Sequence, residues 1–193
     1  EGVIFIFIML CIGFFILINL SMPAIIISLV SIPLIIIYPL TKRITFFPQV
    51  WLGFTFNIGI LVGYSCISED YPNISVIILY IGAIFWTVGY DTLYAMQDYN
   101  DDLLTGVKST AVKMRQYSGV FSAFSYMICT IIFCTALILN DLEPLSILII
   151  IILGIWQILH AARTKINDAN KIISGFNKSN ICGFYIWIVM IAD

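Results

Sequence analysis

Long unbroken apolar runs separated by short polar connections dominate the chain. Seven of them come close to or reach the roughly 17–25 residues that a helix needs to cross a bilayer. They occupy residues 3–20, 22–40, 48–67, 73–90, 117–139, 145–160 and about 175–192. The first two are parted only by Ser21, Met22 and Pro23, which predicts a tight helical hairpin. The run 145–160 is short, so tilt or local thinning of the bilayer would have to accommodate it. Barrel strands would alternate apolar and polar residues, and these runs are apolar throughout. The pattern therefore predicts an all-α, multi-pass transmembrane bundle of about seven helices.

Composition agrees. The 193 residues are 61% hydrophobic and 10% charged, with a mean hydropathy of +1.05. A soluble domain carries about 25% charged residues, so the lipid bilayer is the expected solvent for most of this chain. The net charge of −2 argues against a nucleic-acid partner. No basic region or cleavage site precedes the first apolar run, and the natural start is expected upstream of Glu1. Cys11, Cys66, Cys129, Cys134 and Cys182 lie in apolar stretches without a CxxC pair and read as small lipid- or core-facing side chains.

Charge adds sidedness. Lys42 and Arg43 fall in one connection, Lys108, Lys113 and Arg115 in a second, and Arg163, Lys165, Lys171 and Lys178 in a third; these are all nine basic residues. The alternate connections hold Glu69, Asp70, Asp141 and Glu143 and no cation. The positive-inside rule places the three basic connections in the cytoplasm. The N-terminus is then cytoplasmic and Asp193 lies outside.

The chemically informative stretch runs from Asp91 through Asp98, Asp101 and Asp102 to Gly106-Val107-Lys108-Ser109-Thr110-Ala111. No turn signal separates it from the preceding apolar run, so one helix is expected to continue through it. On such a helix Asp91, Asp98 and Asp102 share a stripe about 40° wide, with Asp98 and Asp102 about 6 Å apart along the axis. Like charges on one face repel, and carboxylates near membrane depth are costly and point to function. A divalent ion bridging carboxylates and a phosphate is the natural partner, since Mg²⁺ takes one or two carboxylates and completes its shell with substrate oxygens and water. The bland alternative is a solvated acidic loop balanced by Lys108, Lys113 and Arg115. An EF-hand is excluded, because Leu103 and Ser109 fall where Gly and Glu are required.

Tyr38 and Lys42 stand four residues apart before the third run, with Pro39 expected to bend the helix between them. Lys42 and Arg43 are on the same side of the membrane as the aspartates, where fixed cations would suit a diphosphate; anchoring the helix end is an equally good reading of the pair. Gly59 and Gly63 form a GxxxG, read as a close helix-packing face. His160 stands alone at a helix end and is taken as interfacial, and the four tryptophans suit interfaces or helix packing. Asn73-Ile74-Ser75 fits a glycosylation sequon.

Two stretches carry a resemblance. Tyr90-Asp91-Thr92 through Tyr94-Ala95-Met96, Asp98, Asp102, Gly106 and Lys108-Ser109-Thr110-Ala111 resembles the second aspartate-rich motif of the UbiA prenyltransferase superfamily, nearest its 4-hydroxybenzoate branch in ubiquinone synthesis. Tyr38-Pro39, Lys42-Arg43, Thr45 and Pro48-Gln49 resemble a conserved loop of the same family. The resemblance implies a nine-helix bundle around a lateral, lipid-open cavity, with Mg²⁺ between the motifs NDxxDxxxD and DxxxD. It implies Asp98 and Asp102, supported by Asp91, as metal ligands, and Tyr38 and Lys42 as the catalytic YxxxK beside the diphosphate. Lys42, Arg43 and Lys108 become contacts to diphosphate or substrate carboxylate. Polyprenyl diphosphate and 4-hydroxybenzoate are the implied substrates, and a bacterial inner (plasma) membrane, or alternatively a mitochondrial inner membrane, is the implied location. No stretch reads NDxxDxxxD: after Asn100-Asp101, Leu104 and Lys108 occupy the required aspartate positions. Residues 1–193 are thus expected to be one prenyltransferase domain lacking the first two helices and the first motif, inactive alone. A UbiA-type enzyme with another acceptor and a cation-binding transporter are the rival readings.

Overall fold

The computed structural model describes residues 2–192, excluding the side chain of Ala192; Glu1 and Asp193 lie outside the described residues. These residues form helices and turns, with no strand among them. The helices are α1 (Gly2–Leu17), α2 (Met22–Ile44), α3 (Pro48–Phe56), α4 (Ile58–Ser68), α5 (Ile74–Ala95), α6 (Tyr99–Thr105), α7 (Thr110–Met114), α8 (Ser118–Leu139), α9 (Pro144–Ala162) and α10 (Ala169–Ala192). All seven expected segments are helical. Five stretches are long and apolar enough to cross a membrane: α2, α3 with α4, α5, the stretch Thr110–Leu139, and α9. The protein is an integral membrane protein.

Helix starts follow local chemistry. Ser21 caps α2, its hydroxyl accepting from the Ala24 N–H at 3.4 Å, and Pro23 follows within the first turn. Asn73 caps α5 through Val76 N–H at 3.0 Å. Pro144 opens α9, which extends to 19 residues and about 28 Å, close to a full bilayer crossing. The expected shortness of that segment came from counting only its most apolar part. Conversely, α1 has 16 residues, and α10 carries Lys171 and Lys178 in its first half; both fall short of the other five.

The third apolar segment is not one helix. It breaks at Asn57, whose amide donates to Gly53 O at 2.8 Å, Ala83 O at 3.2 Å and Thr87 Oγ1 at 2.7 Å. A side chain that binds three acceptors across two helices can replace the lost backbone ladder.

The centre of the bundle is α5, packed against α8, α3, α4 and α10, with α9 behind α8. Small residues let these helices approach. A Cβ at Gly89 would stand 2.6 Å from the Tyr126 ring, and one at Gly82 would stand 2.6 Å from Phe133. Gly119 lies against the carbonyls of Thr164 and Ala161. The expected GxxxG face is corrected here: Cβ atoms at Gly59 and Gly63 would meet open space, because α4 turns Ser65 inward instead, against the start of α2. The five cysteines are free; Cys129 and Cys182 are buried in the core as expected, while Cys66 lies beside Asn19, Ser21 and Glu69. Helix α1 buries none of its described residues.

Candidate active site

The last turn of α2 turns Thr41 inward and leaves Lys42 and Arg43 exposed. Thr41 Oγ1 donates to Tyr38 O at 2.6 Å, and Thr45 N–H closes the helix onto Thr41 O at 2.8 Å. The helix runs through both Pro33 and Pro39 to Ile44, so Tyr38 and Lys42 do share a face one turn apart. Two cations in a C-terminal turn are favoured by the helix dipole.

On the other side, α5 stops at Ala95 and α6 begins at Tyr99, which corrects the single continuous helix. The N–H of Met96 reaches both Thr92 O and Leu93 O, and that of Gln97 reaches Tyr94 O, tightening the last turn before the chain bends. Asp98 stands at the N-cap position of α6 without a capping bond, and Asp101 and Asp102 lie in its first turn, where the helix dipole favours carboxylates. Asp91 is therefore not on one straight stripe with Asp98 and Asp102. The one-turn relation within α6 holds, with Asp102 N–H bonded to Asp98 O at 2.8 Å.

Gly106 ends α6 at φ +72°, a backbone conformation that suits glycine. That turn sends residues 107–110 across the end of α2. Lys108 N–H bonds Lys42 O at 3.0 Å. Gln49 Oε1 accepts from the Thr110 N–H at 3.3 Å and its hydroxyl at 2.5 Å, and both residues are buried. The two motif stretches, about sixty residues apart in sequence, are thus joined by direct bonds. Gln49 and Thr110 carried no reading of their own in the sequence; a polar side chain just inside a helix start, beside Pro48, was the available signal.

Charge converges at this junction. Asp91, half-buried at the end of α5, has Lys42 and Asp98 as its charged neighbours, and Tyr38 and Tyr90 lie in the same field. The carboxylates of Asp98, Asp101 and Asp102 accept no hydrogen bond and form no ion pair among the described residues. Two of the three cations that a solvated loop would have used, Lys108 and Lys113, are engaged elsewhere, while Arg115 is exposed. Lys108 Nζ donates to Ile44 O at 3.2 Å, and the Lys108 and Lys113 ammonium groups stand 5.5 and 5.4 Å from the Phe46 ring centre. The structure therefore brings Tyr38, Lys42, Asp91 and Asp98 together, with Asp102 one turn from Asp98. Arg43 stays exposed at the rim, and Lys108 acts in this structure as a clamp on the end of α2.

Beside the same bundle core lies an apolar cavity of about 550 Å³, lined by Asn57, Leu79, Trp86, Phe133, Ile186 and Trp187 among others. Along α5, Trp86 is about 7 Å and Leu79 about 18 Å deeper than Asp91.

The UbiA prenyltransferase family profile matches residues 1–189. The chain belongs to the UbiA prenyltransferase family. It is 33% identical over 191 residues to a 4-hydroxybenzoate octaprenyltransferase of Haemophilus ducreyi, covering 99% of this chain and 69% of that protein. It is 44% identical over 111 residues to a mitochondrial 4-hydroxybenzoate polyprenyltransferase of Dictyostelium discoideum, covering 57% of this chain and 24% of the relative. A UbiA homologue from Aeropyrum pernix K1, solved in its apo form, superposes with a TM-score of 0.68 at 18% identity, over 92% of this chain and 66% of that one. The UbiA fold is thus shared, while the chain spans only about two thirds of the length of these two longer matches.

The residues present suit a divalent ion in part. Among the described residues no three His, Cys, Asp or Glu side chains form a ready metal cage. Asp98 and Asp102 are unpaired hard-oxygen donors one turn apart, which fits an ion that completes its shell with substrate oxygens and water.

Proposed function

We propose that the protein transfers a polyprenyl group from polyprenyl diphosphate to 4-hydroxybenzoate, at the ring carbon ortho to the hydroxyl, in ubiquinone synthesis. The observation that carries this reading is the junction of the two motif stretches, which sets Lys42 and Tyr38 against Asp91 and Asp98 at one end of the bundle. The names of the relatives supply the substrates.

Asp98 and Asp102 would hold Mg²⁺, with Asp91 behind them. When bound, the ion supplies charge neutralisation for the departing diphosphate. Lys42, with Arg43 at the rim, opposes the same negative charge and favours ionisation of the allylic C–O bond. Tyr38, one turn before Lys42 on the same helix, would stand beside the diphosphate. Diphosphate departs with the C–O bonding pair, the electron-rich ring supplies the pair for the new bond to the allylic cation, and a base takes the proton from the ring carbon. The apolar cavity beside α5 accommodates the isoprenoid tail and keeps water from the carbocation. The second substrate's carboxylate requires a cation, for which the exposed Arg43 is the candidate of this chain, since Lys108 Nζ is bonded to the Ile44 carbonyl.

A family-type site needs carboxylates opposite Asp98 and Asp102, and no stretch of these 193 residues reads NDxxDxxxD. We therefore assign the opposing half of the site to sequence beyond these residues, and expect the 193 residues alone to be inactive. The basic end faces the cytoplasm of a bacterium, or the matrix if the membrane is mitochondrial.

The test is an assay of membranes containing the full-length protein with Mg²⁺, 4-hydroxybenzoate and a polyprenyl diphosphate. Prenylated 4-hydroxybenzoate is expected from the parent and is lost in Asp98→Ala, in Asp102→Ala and on chelation with EDTA. Full activity in either variant removes the metal assignment. No product from the parent beside an active relative removes 4-hydroxybenzoate as the acceptor.

A further inference from the structure

Outside the catalytic junction, a second basic feature stands where α9 meets α10. Trp156, His160 and Arg163 follow one face of the end of α9, at spacings of four and three residues. Lys171, Ser174 and Lys178 follow one face of the start of α10, at spacings of three and four. Together with Leu159 they line a cavity of about 410 Å³. Four of these seven residues are basic or can become so, and none of them entered the reaction above.

The polar groups at this junction are only partly paired. His160 Nε2 is buried without a hydrogen-bond partner, and other atoms of His160 line the cavity. Its ring packs edge-on against Trp156 at 6.2 Å, and Lys178 Nζ lies 5.8 Å from the Trp156 ring centre. Lys171 is paired with Asp168 at 2.9 Å. That side-chain contact, with the Lys171 N–H bonded to the same carboxylate, holds the Asp168 carboxyl below its ordinary range. Arg163 and Lys178 have no acid partner among the described residues.

Position identifies the kind of ligand. The cavity opens at the end of an apolar helix long enough to span a bilayer, on which Ile152, Ile155 and Leu159 are exposed and Trp156 stands where an interfacial aromatic is expected. Its walls combine apolar surface and lysine stems with cationic tips, the arrangement that suits a group with a charged head and an apolar body. Basic pockets between helices on the cytoplasmic side recognise anionic headgroups. At this depth the lipid itself is the abundant source of phosphate.

We infer that the α9–α10 cavity is a binding site for the phosphate of an anionic phospholipid, held by Arg163 and Lys178 with the lipid glycerol and chains against Trp156 and Leu159. The site is independent of the prenyl-transfer reading and would exist whatever the acceptor.

The test uses the full-length protein in nanodiscs that contain phosphatidylcholine with a minor fraction of phosphatidylglycerol. After transfer to detergent, native mass spectrometry counts the lipids retained. The parent is expected to keep phosphatidylglycerol in preference to phosphatidylcholine. The Arg163→Gln/Lys178→Gln variant should lose at least about fivefold of that preference, whereas Lys165→Gln, which removes a charge from the same connection but does not line the cavity, should keep it. Equal retention in the double variant, or equal loss in Lys165→Gln, overturns the site. Displacement of the lipid by millimolar inorganic phosphate would overturn lipid as the occupant in favour of a free anion. In the unmutated protein, brominated phosphatidylglycerol should quench tryptophan fluorescence more than brominated phosphatidylcholine, an excess that Trp156→Phe removes. Equal quenching by the two lipids counts against the proposal without any charge variant having to fold.

Discussion

Lys42 shows how much a single residue's role depends on its surroundings. In the sequence it serves equally well as a topology anchor or as a diphosphate ligand. In the structure it is exposed and acts on the Asp91 carboxyl, while Lys108 is spent on the Ile44 carbonyl and the Phe46 ring. Lys42→Ala in the full-length protein is therefore expected to lower kcat by about 100-fold or more, the scale of a lost charge-stabilising group. Lys108→Ala should chiefly loosen the loop and cost far less in kcat. Steady-state prenyl transfer at saturating Mg²⁺ separates the two. Equal losses would mean that both ammonium groups reach the substrate. The unpaired state of Asp98 and Asp102 was legible in part: their spacing is a sequence property, but only the observed positions of Lys108 and Lys113 show that neither cation neutralises them.

At the scale of elements, hydrophobic runs located every long helix to within a few residues at most ends, and they missed the breaks. Both breaks fall at polar residues, and in one case the partners are distant. Asn57 interrupts an apolar run and is satisfied by Ala83 and Thr87 of α5. The Asp98–Asp102 cluster starts a new helix where the preceding one was expected to continue. The α2–α3 junction and the loop before α7 are locked by Gln49 and Thr110. Gln49→Leu leaves the Thr110 hydroxyl and N–H buried without that acceptor, and the expected cost is about 1–3 kcal/mol, measured as a shift in the denaturation midpoint in detergent. Helix packing makes a sharper contrast. Gly119→Ala puts a methyl group against the fixed carbonyls of Ala161 and Thr164 and should destabilise by about 1–3 kcal/mol. Gly59→Ala and Gly63→Ala, facing open space, should be neutral or mildly stabilising through helix propensity. The reverse order in thermal unfolding would mean that the GxxxG face is the packed one.

For the whole molecule, the prediction concerns sidedness. Lys108 bonds the end of α2, and Ile166 and Asn167 line a cavity with Gln97 and Asn100, so the three basic connections meet at one end. Ser75 bonds Asn140, and Ser21 bonds the Ser65 carbonyl, at the opposite end. In a cysteine-free background, a thiol at Lys165→Cys should react with an impermeant reagent only from the cytoplasmic side, and one at Asp70→Cys only from outside. The opposite labelling would invert the topology and separate the site from the compartment assigned to it. The sequence by itself determined the solvent, which stretches are helical, the common side of the basic connections and the two stretches that carry chemistry. Each of these depends on local transfer energies and charge, which a residue brings wherever it sits. Tertiary structure alone decided where helices break, which glycines are packed, and that Gln49 meets Thr110 across about sixty residues. Those outcomes rest on hydrogen-bond geometry and close contact between distant segments, of which the chain's local pattern shows at most an out-of-place polar residue and never its partner.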